Sequence, residues 1–303
     1  MSDNTVFKTE LEERINKINE QIESYLPEEK GHQSTIFEAM NYSVRAGGKR
    51  LRPLFMQEIC RLFTGEVQPA VVPFMAAIEM IHTSSLVHDD LPCMDDDMMR
   101  RGKACTWAEY GEDMGVLAGD ALMIYAFEVA AKAFNEVSEA DDLKRVGRAI
   151  EILAAKTGIY GMIGGQTVDV ELSGGPVPKN KLDFIYRLKT GALIEASMLI
   201  GAVLGGAAEE DCKIVESLAG KVGLAFQIQD DILDVTGDQK VLGKEAGSDE
   251  KNQKTTYVTI EGLEKAKKDV EILSAQAIED LNKLPGNNEF LENLIRILIK
   301  RQK

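Results

Sequence analysis

Residues 69–97 read PAVVPFMAAIEMIHTSSLVHDDLPCMDDD. From Pro69 to His88 apolar residues fall on more than one face of a 3.6-residue period, so the stretch predicts a helix buried among other helices. The same all-round apolar character recurs at 116–134 and 213–233. Three such segments need further helices to cover them, and a helical bundle supplies that cover.

Working outward, Leu11, Ile15, Ile18 and Ile22 mark one face of a first helix that stops near Pro27. Ser34 is the expected N-cap of a second helix, and Gly47-Gly48 its end. Helices are predicted over 51–63, 69–88, 116–134, 141–162, 179–204, 211–235, 255–284 and 287–300. Short β-branched stretches such as Val71-Val72 lack alternation bounded by turn residues, so no strand is predicted. No Pro-, Gly- or Ser-rich linker divides the chain. The expected fold is all-α, one large bundle forming a single domain over residues 1–303.

Composition narrows the function. With 50 acidic against 35 basic residues the net charge is -15, and such a surface repels nucleic acid and anionic lipid. An anionic ligand therefore needs a local basic patch. Cys60, Cys93, Cys105 and Cys212 form no CxxC pair, as expected of free thiols in a reducing cytoplasm. The first 22 residues are charged throughout, unlike a signal peptide, and no uninterrupted apolar run approaches the ~20 residues that span a bilayer. The expectation is a soluble cytoplasmic protein without membrane insertion.

Chemistry concentrates in a pattern that occurs twice. An apolar helix delivers clustered carboxylates at its C-terminal end, first at Asp89, Asp90, Asp95, Asp96 and Asp97, then at Asp230, Asp231 and Asp234. Negative side chains are unfavourable at the negative end of the helix dipole, so a cation is expected nearby. Asp230 and Asp234, four apart, share a face. Asp89 and Asp95 meet only if the chain turns at Pro92. Carboxylates without His or Cys partners suit a hard ion such as magnesium, which keeps free positions for phosphate oxygens. Cations lie beside these clusters: Lys49 and Arg52 at a helix start, Arg100, Arg101 and Lys103 after the first cluster, and Lys189, Lys244 and Lys254 around the second. Two metal-binding faces and a basic rim suit a diphosphate substrate.

Taken in order, GGKRLRP, HDDLPCMDDD, RRG, LAGDAL, GGQTVDV, KTGALI, FQIQDDILDVTGD, LGKEAGSD and KTTY resemble the short-chain trans-prenyl diphosphate synthases of the bacterial farnesyl and geranylgeranyl type. The resemblance implies an isoprenoid-synthase bundle around a deep apolar cavity. It implies a transferase that condenses isopentenyl diphosphate with dimethylallyl, geranyl or farnesyl diphosphate, usually as a homodimer. By this resemblance Lys49, Arg52, His82 and Arg101 hold isopentenyl diphosphate. Asp89, Asp95 and Asp230 coordinate magnesium, three ions with the allylic substrate bound, helped by Asp90, Asp231 and Asp234. Arg100, Lys189, Gln227 and Lys244 grip the allylic diphosphate, Lys254 adds charge, and Thr190 beside Gly191 orients dipoles toward the developing cation. Where the family reads KPTNH after RRG, this chain has Lys103-Ala104-Cys105-Thr106-Trp107, which leaves the packing of that loop open.

Product length follows from the helix entering the first cluster. Ser84 and Ser85 lie about one turn, ~5 Å, before Asp89. Bacterial farnesyl synthases typically carry an aromatic at the position of Ser84, and serine opens that turn, leaving Met80 and Ile81 as the next obstruction. The C20 geranylgeranyl product is therefore favoured, with C15 farnesyl as the alternative if Met123 or Phe127 forms the floor. His82 and His88 also admit packed, non-catalytic readings. A class I terpene cyclase would mix Asn, Ser and Glu into its second metal site, and a non-catalytic subunit of a heteromeric synthase would have eroded motifs.

Overall fold

The structure is a computed structural model that describes residues 2–236 and 255–300. In chain order the helices are α1 (Ser2–Glu23), α2 (Ser34–Arg45), α3 (Leu51–Thr64), α4 (Val71–Asp89), α5 (Thr106–Tyr110), α6 (Glu112–Ala131), α7 (Ala140–Thr157), α8 (Met162–Glu171), α9 (Lys179–Ile185), α10 (Ala192–Leu204), α11 (Glu209–Thr236), α12 (Tyr257–Glu261), α13 (Leu263–Leu281) and α14 (Glu289–Lys300). This is the all-α architecture the periodicity predicts. The core lies where α3, α4, α6, α10 and α11 pack together, and Leu54, Phe55, Phe74, Met75 and Ile78 are wholly buried there. Each such side chain contributes about 1.5–3 kcal/mol of burial free energy. A second apolar cluster, including Ile185, Tyr186, Ile228, Ile232, Tyr257 and Val270, ties the end of α11 to α12 and α13.

Four local expectations are corrected. Ser34 is the first residue of α2 rather than its N-cap; Gln33 takes that position and no side chain caps the helix. The helix predicted over 141–162 ends at Thr157 and restarts at Met162. A Cβ at Gly161 would lie 1.9 Å from the Lys156 carbonyl oxygen, a tight turn that periodicity alone does not reveal. The helix predicted over 255–284 breaks at Gly262, with φ 84°. A two-residue antiparallel pair, β1 (Met99–Arg100) with β2 (Lys103–Ala104), is also present. Its turn residues Arg101 and Gly102 both have positive φ, 55° and 78°, the twist that suits a tight hairpin.

By length and composition α4 and the stretch Glu112–Glu136 could each cross a membrane, although charged residues interrupt both. The α4 window is 72% buried inside the bundle, as befits a core helix, against 39% for the second stretch. Along α6, Val116, Leu117 and Ile124 stay exposed. All four cysteines are free.

Candidate active site

A cavity of 1660 Å3 opens between α4, α6, α8, α10 and α11. It exceeds the roughly 300–1,000 Å3 of most small-molecule pockets, room enough for two substrates side by side. Lys49, Arg52, His82, Arg100 and Arg101 line one part, Asp89, Lys189, Thr190, Gln227 and Asp230 another, and Ser85, Met123, Met162, Ile163 and Leu193 an apolar part. Lys244 and Lys254 lie outside the described residues.

In the first cluster α4 ends and the chain doubles back at Leu91-Pro92. The Asp95 amide donates to the Asp89 carbonyl at 2.9 Å, so the turn that brings these two aspartates together is present. Burial pushes the Asp89 carboxyl up to about 6, with Asp95 reinforcing the rise and Lys189 opposing it. Such a carboxylate gains from any cation brought beside it. Its neighbour Asp90 is 2% exposed and accepts from Arg100 Nε at 2.9 and 3.2 Å through its two oxygens. Arg100 also pairs with Asp97 at 3.3 Å.

The second cluster is built differently, because α11 runs on through Thr236. Asp230 faces the cavity and is exposed. Asp231, rotated ~100° from it, is 4% exposed. Its Oδ2 accepts from the Tyr186 hydroxyl at 2.5 Å and the Tyr257 amide at 2.8 Å. Asp234 is half-buried one turn beyond Asp230. Asp90 and Asp231 are thus buried and paired within the protein, and the cavity is lined by their neighbours Asp89 and Asp230.

The allylic side rests on a π-helical turn, Tyr186–Gly191, between α9 and α10, the local loosening expected near Gly191. Thr190 Oγ1 donates to Gln227 Oε1 at 2.9 Å. Lys189 Nζ pairs with Asp169 at 2.6 Å. Burial pulls the Lys189 ammonium down, but Asp169 and Asp89 together outweigh it and hold it above its ordinary value. Two further participants come from α8: Asp169, and Gln166, whose Nε2 donates to Asp89 Oδ1 at 2.8 Å. Their three-residue spacing in GGQTVDV, one helical face, is the signal available in the sequence. A Cβ at Gly165 would lie 2.3 Å from the Lys189 amide nitrogen, so only glycine lets α8 approach the π turn this closely.

At the basic rim, burial with a contribution from Arg101 lowers Arg52 to about 10, against the pull of Glu79. Burial and the surrounding arginines hold His82 well below its ordinary value, as a neutral imidazole. Arg101, in a left-handed backbone conformation, donates to the Gly47 carbonyl oxygen. Lys49, Arg52, Arg100 and Arg101 gathered on one cavity suit a diphosphate. The divergent loop packs well: Trp107 Nε1 donates to Asp97 O at 3.1 Å, and the hydroxyls of Ser43 and Thr106 meet at 2.7 Å.

Of Ser84 and Ser85, expected to line the floor ahead of Met80 and Ile81, the structure departs from expectation at Ser84. Ser84 is wholly buried and donates to the Gly119 carbonyl oxygen of α6 at 2.8 Å, while Met80 and Ile81 sit in the core. Ser85, one residue on, faces the cavity. His88 also lines it, its Nε2 3.2 Å from Val116 O and 3.5 Å from an Asp120 oxygen. Among the described residues no three acidic, His or Cys side chains cluster closely enough to hold a metal ion alone.

Residues 33–292 match the polyprenyl synthetase family model. The chain is 46% identical over 249 residues to the chloroplastic heterodimeric geranylgeranyl pyrophosphate synthase large subunit 1 of Arabidopsis thaliana, covering 81% of this chain and 66% of that one. It is 42% identical over 274 residues to geranylgeranyl diphosphate synthase of Cyanophora paradoxa, covering 90% and 89%. A solved geranyltransferase from Helicobacter pylori, complexed with magnesium and isoprenyl diphosphate, superposes with a TM-score of 0.82 at 31% identity, covering 96% of each chain. With Asp89 and Asp230, one from each aspartate cluster, lining one cavity together with Lys49, Arg52, Arg100, Arg101 and Lys189, and with these relatives, the chain belongs to the polyprenyl synthetase family and is a prenyltransferase.

Proposed function

We propose that this chain condenses isopentenyl diphosphate with allylic diphosphates to make an all-trans product, C20 geranylgeranyl diphosphate before C15 farnesyl diphosphate. One observation carries the reading: carboxylates (Asp89, Asp230), cations (Lys49, Arg52, Arg100, Arg101, Lys189) and apolar side chains (Met123, Met162, Leu193) line one cavity. The geranylgeranyl synthases among its relatives support the C20 product.

The acidic wall fits magnesium. Asp89, Asp95 and Asp230, with Asp234, offer only carboxylate oxygens, and the buried Asp89 needs positive charge. Magnesium bound by a few carboxylates keeps positions for diphosphate oxygens. Bound there, magnesium would neutralise the leaving diphosphate as its carbon-oxygen bond breaks.

The chain's own residues do the rest. Lys189 and Arg100 bind the allylic diphosphate, with Lys244 and Lys254 in the same role, while Lys49, Arg52, Arg101 and neutral His82 seat isopentenyl diphosphate. Thr190 and Gln227 turn their dipoles toward the allylic carbon as positive charge develops. The apolar end excludes water from that carbon. The isopentenyl double bond attacks, a carbon-carbon bond forms, and the proton lost from the adjacent carbon goes to the departed diphosphate.

The enzyme acts as a soluble homodimer in the cytoplasm, the partner covering Val116, Leu117 and Ile124, and light scattering should return twice the 33.4 kDa chain mass. Purified protein incubated with isopentenyl diphosphate and each allylic primer, with magnesium or a chelator, should yield a C20 product that the chelator abolishes, read by mass spectrometry. A C15 endpoint would keep the reaction class and move the floor to a bulky side chain of α6 such as Met123. No elongation by folded protein would sink the catalytic reading.

A further inference from the structure

We infer that Gln166 is a positioning residue for the metal: its amide nitrogen holds one oxygen of Asp89, and its carbonyl oxygen receives a water of the metal's shell. The inference rests on the proposed magnesium-dependent reading.

Three observations carry it. Gln166 Nε2 donates to Asp89 Oδ1 at 2.8 Å across 77 residues of chain. Gln166 Oε1 is buried and accepts no hydrogen bond from the protein, an arrangement native proteins rarely leave without a partner. Gln166 lines the cavity beside Asp89, and the close approach at Gly165 with the Asp169–Lys189 pair one turn on holds α8 in place.

The chemistry follows from the two oxygens of a carboxylate. An amide anchored on Oδ1 fixes the plane of the Asp89 carboxyl and leaves Oδ2 directed by the protein rather than by solvent. Magnesium keeps several waters when carboxylates and phosphates bind it, and those waters are strong donors. A carbonyl oxygen buried next to a ligand carboxylate is placed to accept from one of them. Outer partners of this kind orient ligands and tune metal affinity.

The test titrates magnesium calorimetrically into protein saturated with the non-ionisable thiolodiphosphate analogue of geranyl diphosphate, alongside steady-state assays. Gln166→Met keeps the size and removes both hydrogen-bonding groups. It should weaken magnesium binding about 10- to 100-fold and raise the magnesium needed for half-maximal rate, with the KM for isopentenyl diphosphate unchanged. If that variant folds poorly, Gln166→Asn, one methylene too short to reach Asp89, should show the same split. Wild-type magnesium affinity in a folded variant, or an equal rise in the KM for isopentenyl diphosphate, would overturn the inference. Wild-type protein that neither binds magnesium nor elongates a primer would instead overturn the proposed function.

Discussion

The two aspartate clusters share a composition and differ in architecture. At the first, α4 stops and the chain turns back, so Asp89 and Asp95, six residues apart, are joined by a backbone hydrogen bond. At the second, α11 continues to Thr236, and Asp230 and Asp234 share a face by helical geometry alone. In both, the second residue of the Asp-Asp pair turns inward. Asp90 anchors Arg100, and Asp231 anchors the Tyr186 hydroxyl and Tyr257 amide. Adjacent helical residues diverge by ~100°, so one carboxylate of each pair serves the cavity and the other serves the scaffold that aims it.

That division is open to test, beginning with the largest effect. Asp89→Ala and Asp230→Ala should each lower kcat/KM by about 10²–10³-fold, the scale of losing one charge-stabilising group, with little change in melting temperature. Asp231→Ala should cost about 1–3 kcal/mol of stability because it strands buried donors, measured by denaturant midpoint. Its magnesium half-saturation should stay near that of wild type. An Asp231 variant that behaves like the Asp230 variant would break the comparison.

The same logic separates Ser84 from Ser85. Ser85→Phe fills the cavity and should shift the main product from C20 to C15 by mass spectrometry. Ser84→Phe meets α6 instead and should first lower the melting temperature.

The smallest effect is a pH dependence. Asp89 rises from an ordinary 3.8 to about 6 in the metal-free fold. For a raised carboxyl the fold carries a penalty that is absent below about pH 4 and complete above about pH 6, so stability from this group falls as pH rises through that window. Asp89→Asn should remove this component from the metal-free stability curve. Magnesium competes with the same proton, so its half-saturating concentration should climb as pH falls below about 6.

Much of this molecule is legible along the chain. The apolar helices at 69–88 and 213–233, the clusters at Asp89 and Asp230, the basic rim and the loosening at Gly191 are local statements, carried by period, composition and spacing. Inward-facing roles are not local. Whether Ser84 or Ser85 meets the cavity, and whether Asp231 meets a metal or Tyr186, depends on which neighbouring helix covers each face. Gln166 shows the same limit: its spacing to Asp169 puts both on one helical face, but that the face meets Asp89 and Lys189 depends on Gly165 letting α8 close on the π turn.

By itself the sequence determined an all-helical chain with two acidic helix ends and cations to answer them, because helix periodicity and charge are properties of neighbours in the chain. Only the tertiary structure decided which carboxylate of each pair is aimed at the cavity, where its apolar end lies, and that α8 joins the two halves of the site. Those choices are made by contacts between residues such as Gln166 and Asp89, 77 positions apart, and no local pattern encodes the orientation of one helix against another.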